Sequence, residues 1–398
     1  MDELDRATTF PVGASVTLDE LEADPHPALA RLRTVEPVSW LPALDGWLVT
    51  RRDLALRVMR EDATFTVDDP RFSTAQVVGP SMLSLDGAEH TRHRNPFARP
   101  FRLGAVRKRF TTIVEREVDA LLGAVETSGK SDLRRDLAGP LSVTVMVHAL
   151  GLEDTAPAAA LAWYAAIVEA VTEITAGRAP GPSGARACDA LRASLQPAFD
   201  RDPATSLVAA AAGSLSRGEV ESNAAVLLFG GIETTEATIA NVLLHVLSDE
   251  HERALVRADP SLAVAAVEES LRLEPAAAVV DRYATQDVSI GGATVLRGEL
   301  VRVSLAGANR DPAVFAEPDR FLVRRENARL QVAFAPGPHV CLGMHLGRLE
   351  AQVALRRALA RLPGLRLDAE RPSTVSGLVF RKPDAVHVRW TRRGTLEA

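Results

Sequence analysis

A mainly α protein with small β-sheets is the fold class this sequence of 398 residues predicts. Three observations carry that expectation. From Glu89 to about Leu362 the pattern of apolar residues is mostly helical. Residues 279–303 (VVDRYATQDVSIGGATVLRGELVRV) instead alternate, with Gly291, Gly292 and Gly298 as turn residues, and read as short strands. The composition is that of a soluble globular chain: 46% hydrophobic, 25% charged, and only two cysteines, Cys188 and Cys341. Two cysteines exclude a disulfide scaffold and fit a reducing cytosol. A net charge of −6 gives no reason to expect nucleic acid. The acidic start, MDELDRATTFPVG, resembles neither a signal peptide nor a membrane anchor, and no apolar stretch reaches the roughly 18 charge-free residues of a spanning helix.

Taken in order, residues 27–34 read as a helix. Residues 38–41 and 46–50 read as two short strands around a turn at Pro42 and Gly46. Residues 52–60 form an amphipathic helix. Residues 65–83 hold prolines and polar residues and read as a long irregular segment, the kind of loop that often carries function. The helical signal after Glu89 is interrupted at Gly139-Pro140, at 179–184 and at Pro275. Residues 365–390 read as another small sheet.

Two places break local rules. Residues 219–250 make a helical run of about 32 residues, or about 48 Å at 1.5 Å per residue. It is apolar over much of its circumference and so predicts a buried central helix. Its middle nevertheless reads Gly230-Gly231-Ile232-Glu233-Thr234-Thr235. Two glycines cost roughly 1 kcal/mol each against alanine, and an acid and two threonines in a buried helix need partners. Such inconsistencies mark functional sites. The second place is Phe334-Ala335-Pro336-Gly337-Pro338-His339-Val340-Cys341-Leu342-Gly343, a stiff turn that leads into a helix over 342–362. A cysteine at a helix N-terminus favours the thiolate, and a fixed thiolate can ligate haem iron. Cys188, in SGARACDALR, reads as a small buried hydrophobe.

These segments together resemble the cytochrome P450 family. Phe334-x-x-Gly337-x-His339-x-Cys341-x-Gly343 is similar to its haem-binding loop. Gly230-Gly231-Ile232-Glu233-Thr234 resembles its oxygen-activation motif, with Glu where Asp is more frequent. Glu269-Ser270-Leu271-Arg272 resembles its Glu-x-x-Arg pair, and His90-x-x-x-Arg94, Arg282 and Asn309-Arg310-Asp311-Pro312 sit where soluble bacterial members carry such residues. The likeness runs from about Pro27 to Val388.

The resemblance implies a single cytochrome P450 domain over 1–398, with residues 1–26 as an N-terminal extension and haem b buried between the central helix and the cysteine loop. It implies Cys341 as the iron ligand and Glu233 and Thr234 as the catalytic acid and alcohol. His90, Arg94, Gly230, Arg282, Phe334, His339 and Gly343 are the other residues expected to bind the cofactor, with His90, Arg94, Arg282 and His339 on the propionates. Gly230 and Gly231 would open the helix to admit dioxygen. Thr235 is structural. Glu269 and Arg272 would form a buried lock with a third arginine, either Arg320 or Arg325. Arg99, Arg102, Arg107, Lys108, Arg109, Arg348, Arg356 and Arg357 read as a solvated face or, by resemblance, a docking surface for an acidic ferredoxin.

The activity so implied is a cytoplasmic, monomeric haem-thiolate monooxygenase. It would use O2 and electrons from ferredoxin and ferredoxin reductase to hydroxylate or otherwise oxidise a small, largely apolar molecule of secondary metabolism, with no nucleic-acid or membrane partner. The substrate would meet residues 65–83, 158–175, Phe229, 275–280 and 378–380. Alternatives are oxidative C–C or C–N coupling, a peroxide-using enzyme, and a non-catalytic haem-binding protein.

Overall fold

The structure is a computed structural model that describes residues 3–175 and 178–392. It is mainly helical with four small sheets among the described residues. The helix Arg217–Ser248, here called the central helix, runs through the largest apolar core. A capping box at Ser216 and Glu219 starts it, each satisfying a backbone N–H that the first turn leaves free. Around it pack Leu103–Val125, Gly139–Leu150, Pro157–Thr175, Pro182–Phe199, Ala263–Leu273 and Met344–Arg361. The central helix and Pro157–Thr175 are long and apolar enough to cross a membrane by composition, yet the central helix is 72% buried inside the protein. Tertiary packing accounts for its apolarity.

The largest sheet orders Val38–Leu41, Gly46–Val49, Leu300–Ser304, Val279–Ala284 and Phe65–Thr66 side by side. Its one parallel pair sets Trp47 beside Val301. Residues expected as an N-terminal extension form short helices seated on this sheet. Phe10 stacks edge-on against Trp47 at 5.0 Å, the Arg6 guanidinium lies 4.1 Å from the Trp40 ring centre, and the Glu36 carboxylate accepts from the N–H groups of Val12 and Gly13.

Several sequence expectations change. Residues 65–83 are not irregular throughout: they contain the strand Phe65–Thr66 and the helix Ser73–Val78, which packs on Pro157–Thr175 and on the central helix. Gly139-Pro140 is no interruption. A π-helical turn, Arg134–Ala138, runs directly into Gly139–Leu150, so the donor that Pro140 lacks falls where π spacing gives way to α rather than at a break. Residues 309–343 are not helical apart from the short turn Ala328–Leu330. Pro312, Pro318, Pro336 and Pro338 deny donors there, and the carbonyls of Asn309, Pro318 and Arg320 serve the buried Arg272 instead. The tail contributes to two sheets: His387–Arg389 lies between Lys130–Asp132 and Arg366–Leu367, while Val375–Ser376 pairs with Lys382–Pro383.

Candidate active site

The cysteine loop is shaped by its glycines. Gly337 has φ +146°, and a Cβ there would lie 2.1 Å from the Met59 carbonyl oxygen, so only glycine fits. The Cys341 N–H donates to the Phe334 carbonyl at 2.9 Å, closing the loop across its base. The helix begins at Met344, two residues later than the pattern suggested. Cys341 lies deep in the protein, yet its side chain keeps accessible surface, so it faces an internal space. Its thiol differs from expectation. Burial pushes it above its ordinary value, although the N–H groups of Gly343 and Met344 and the charges of Arg94 and Arg348 pull the other way. Desolvation outweighs the helix terminus here, so the local cue does not by itself favour the thiolate.

Beside the loop, four expected anion-binding residues come together. His90 and His339 stack with ring centres 4.2 Å apart. Arg94 Nη2 donates to the Val340 carbonyl, and its charge is felt at Cys341. Arg282 is buried, and among the described residues its side chain donates to the carbonyl of its neighbour Asp281. His90 Nε2 is buried without a hydrogen-bond partner. Burial, with His339 and Arg94 nearby, lowers the His90 imidazole to about 4. Asp86 was not foreseen. It accepts from His339 at 2.6 Å, from the Thr66 hydroxyl at 2.6 Å and from the Val67 N–H at 2.8 Å. Burial pushes its carboxyl up, but these bonds prevail and hold it well below the usual range. Its position just before a helical segment was the readable signal, since Asp favours that place.

The central helix is unbroken through Gly230-Gly231, contrary to the expected opening. The glycines have separate reasons. A Cβ on Gly231 would lie 2.4 Å from Met146 Sδ, so this glycine permits close packing. A Cβ on Gly230, or on Gly343, would meet nothing within 4 Å. Thr234 Oγ1 donates to the Gly230 carbonyl at 2.7 Å, and Thr235 Oγ1 lies 3.7 Å from where a Cβ on Gly347 would stand, at the crossing with the cysteine helix. Glu233 is buried and ion-paired: Lys382 Nζ lies 2.8 Å from Glu233 Oε1 and 2.9 Å from Glu236 Oε2. Lys382 had no signal in sequence, because it sits in a strand of two residues far along the chain.

The lock below the cysteine loop is explicit. Arg272 donates through Nε and Nη2 to both Glu269 oxygens at 2.8 Å, and Arg325 Nε donates to Oε1 at 2.9 Å. Arg325 is therefore the third member; Arg320 supplies a carbonyl and turns its own side chain to Glu317. The expected basic face is partly spoken for. Arg348 pairs with Glu268 and lies over the Phe334 ring, Arg109 caps the carbonyls of His148, Ala149 and Thr205, and Arg356 and Arg357 lie near Glu115. Arg99, Arg102, Arg107 and Lys108 are exposed.

The donor set fits a planar dianionic cofactor with a central metal. A soft sulfur faces inward, the Arg94 and Arg282 guanidiniums and the unpartnered His90 Nε2 lie beside it, and two glycines leave their faces open. The chain is 36% identical to nocardicin C N-oxygenase of Nocardia uniformis subsp. tsuyamanensis, covering 96% of this chain and 98% of that one. It is 35% identical to the cytochrome P450 monooxygenase PikC of Streptomyces venezuelae, covering 94% and 92%.

The chain belongs to the cytochrome P450 family.

Residues 257–382 match the family model described as "Cytochrome P450". The crystal structure of CalO2 superposes with a TM-score of 0.85 at 27% identity, covering 95% of this chain and 100% of that one. As a P450 monooxygenase the protein uses haem, and its activity implies a substrate, O2 and redox partners.

Proposed function

We propose that this P450 binds haem b through Cys341 and monooxygenates a small, largely apolar secondary metabolite. Its electrons come from ferredoxin and ferredoxin reductase, and it works as a cytoplasmic monomer. The observation that carries the reading is a deep cysteine with accessible surface whose following helix packs against the central helix that bears Glu233 and Thr234. Bound haem supplies the redox chemistry that activates dioxygen. Cys341 would hold the haem iron as a thiolate, the metal's charge offsetting the cost of burying its own. Arg94, Arg282, His90 and His339 hold the propionates; the last two are oriented by their stacking and by Asp86. Phe334, Gly230 and Gly343 border the ring.

Thr234 Oγ1 spends its proton on the Gly230 carbonyl and so presents its oxygen as an acceptor. Glu233 would pass a proton to that hydroxyl, and the hydroxyl would pass one onward into the open space beside Gly230. Apolar walls exclude bulk water: Phe229 meets Phe380 edge-on at 5.7 Å, and the Ala278 N–H donates to the Val379 carbonyl at 2.8 Å, tying residues 275–280 to 378–380. Small alanines, Ala276 to Ala278, leave room for a medium-sized ligand. The intact acid and alcohol favour oxygen insertion over coupling. The test is turnover with ferredoxin, its reductase and isotopically labelled dioxygen, on compounds that shift the ferric haem from low to high spin. One labelled oxygen atom in the product is expected; products formed with no labelled oxygen overturn monooxygenation.

A further inference from the structure

Glu233 is not free on its helix face. Its Oε1 is held by Lys382, whose ammonium also holds Glu236 Oε2. Glu236 Oε1 in turn accepts from Arg134 Nε at 2.9 Å, and Arg134 Nη1 donates to the Asp384 carbonyl at 2.6 Å. Two cations thus meet two carboxylates. Exposure is graded along the chain: the Glu233 side chain is 6% exposed, Glu236 11%, Lys382 19% and Arg134 27%. The network therefore runs from the buried middle of the central helix to a solvent edge.

Lys382 is held rigidly. The preceding Arg381 is buried, donates to Glu274 Oε1 at 2.7 Å, and offers its carbonyl to Asn241 of the central helix at 3.1 Å. Ser376 pairs with Lys382 across the short sheet. Space for the second carboxylate is provided by Gly139, where a Cβ would lie 3.4 Å from Glu236 Oε1. The ammonium donates to Glu236 and lies in ion-pair contact with Glu233, and its partial exposure leaves donor capacity for water.

We propose that Lys382, bridging Glu233 and Glu236, is a positioning residue that sets where Glu233 rests and returns, and so defines a proton route from the Arg134–Lys382 edge to Thr234. The inference rests on the reading of Glu233 as the proton donor. When Glu233 takes a proton from edge water, Lys382 remains neutralised by Glu236, so no unpaired ammonium is left in a half-buried place. The neutral acid is released from Lys382 and donates its proton to the Thr234 hydroxyl. The regenerated carboxylate then returns to Lys382, and one proton has moved inward for each cycle.

The test compares holoenzymes carrying Lys382→Met, Lys382→Arg, Glu233→Gln and the Lys382→Met/Glu233→Gln pair. The first readout is the infrared carboxylate stretch of Glu233, isolated by subtracting the Glu233→Gln spectrum. It should shift in Lys382→Met and stay in place in Lys382→Arg. The second is product formed per electron consumed, with hydrogen peroxide measured alongside. Lys382→Met should lower coupling by about an order of magnitude and raise the solvent isotope effect, Lys382→Arg should restore both, and the double variant should be no worse than Glu233→Gln. Unchanged coupling in Lys382→Met beside poor coupling in Glu233→Gln overturns the role of Lys382 alone. Unchanged coupling in Glu233→Gln overturns the donor reading as well. An unshifted carboxylate band in Lys382→Met overturns the ion pair itself.

Discussion

Two carboxylate–cation clusters lie in the fold, and they differ in burial, in closure and in the cations they use. Glu269, Arg272 and Arg325 form a closed knot. Glu269 and Arg272 have no side-chain exposure, the Leu322 N–H donates to Glu269, and backbone carbonyls take the outer donors of Arg272. Glu233, Glu236, Lys382 and Arg134 form an open chain that reaches solvent, with a shared ammonium able to keep one partner while it releases the other. A buried charge is held in place by the cost of leaving it unpaired. A charge with a second partner and water nearby can move. Carboxylates paired with cations therefore make a clamp in one place and a relay in the other.

The largest expected effect breaks the clamp. Arg272→Ala leaves Glu269 buried beside a lost bidentate partner and should cost about 3–5 kcal/mol, read as a lowered denaturant midpoint. Lys382→Met should cost less than half of that, because Glu236 keeps Arg134 and Glu233 can take up a proton from the nearby solvent edge. Equal losses would erase the distinction between clamp and relay.

Second, Glu233→Gln should slow turnover by about a hundredfold while the melting temperature stays within a few degrees. A large loss of stability with the rate of product formation per folded enzyme unchanged would make Glu233 a structural residue.

Acid should weaken the buried groups Glu274 and His245. Burial pushes the Glu274 carboxyl up, but His26, Arg381 and Arg310 outweigh it and hold it at about 2. Because that lies below its unfolded value, its contribution is present above about pH 4.3 and is lost as pH falls toward 2. Burial lowers His245 to about 4, so the unfolded chain takes its proton first and stability also falls from about pH 6.5 downward. Unfolding free energy measured against pH should decline in both windows, and Glu274→Gln should flatten the lower one.

The smallest effects separate the adjacent glycines. Gly231→Ala meets Met146 and should cost about 1–3 kcal/mol. Gly230→Ala meets nothing and should stabilise the helix by up to about 1 kcal/mol while weakening ligand binding at the haem. Chemical melts and ligand-induced spin shifts distinguish them.

What was legible in the sequence was what is local. The cysteine turn, the Glu269–Arg272 spacing and the apolar central helix each lie within a few turns of chain. Choosing Arg325 over Arg320 required the path of the backbone, because both lie near Glu269 and only one side chain points inward. Lys382, Arg381 and the strand Lys130–Asp132 left no trace, since strands of two or three residues carry no periodicity and their partners lie over a hundred residues away. The Cys341 thiol was misjudged for a physical reason: a helix terminus is a local cue, and burial is a property of the whole fold.

The central claim is a haem held by the Cys341 thiolate, and the spectrum of the reduced, CO-treated protein tests it most directly. A red-shifted Soret band of thiolate-ligated haem is predicted for the wild type, and its loss in Cys341→Ser. A wild-type spectrum without that band, or a variant that keeps it, would contradict the account.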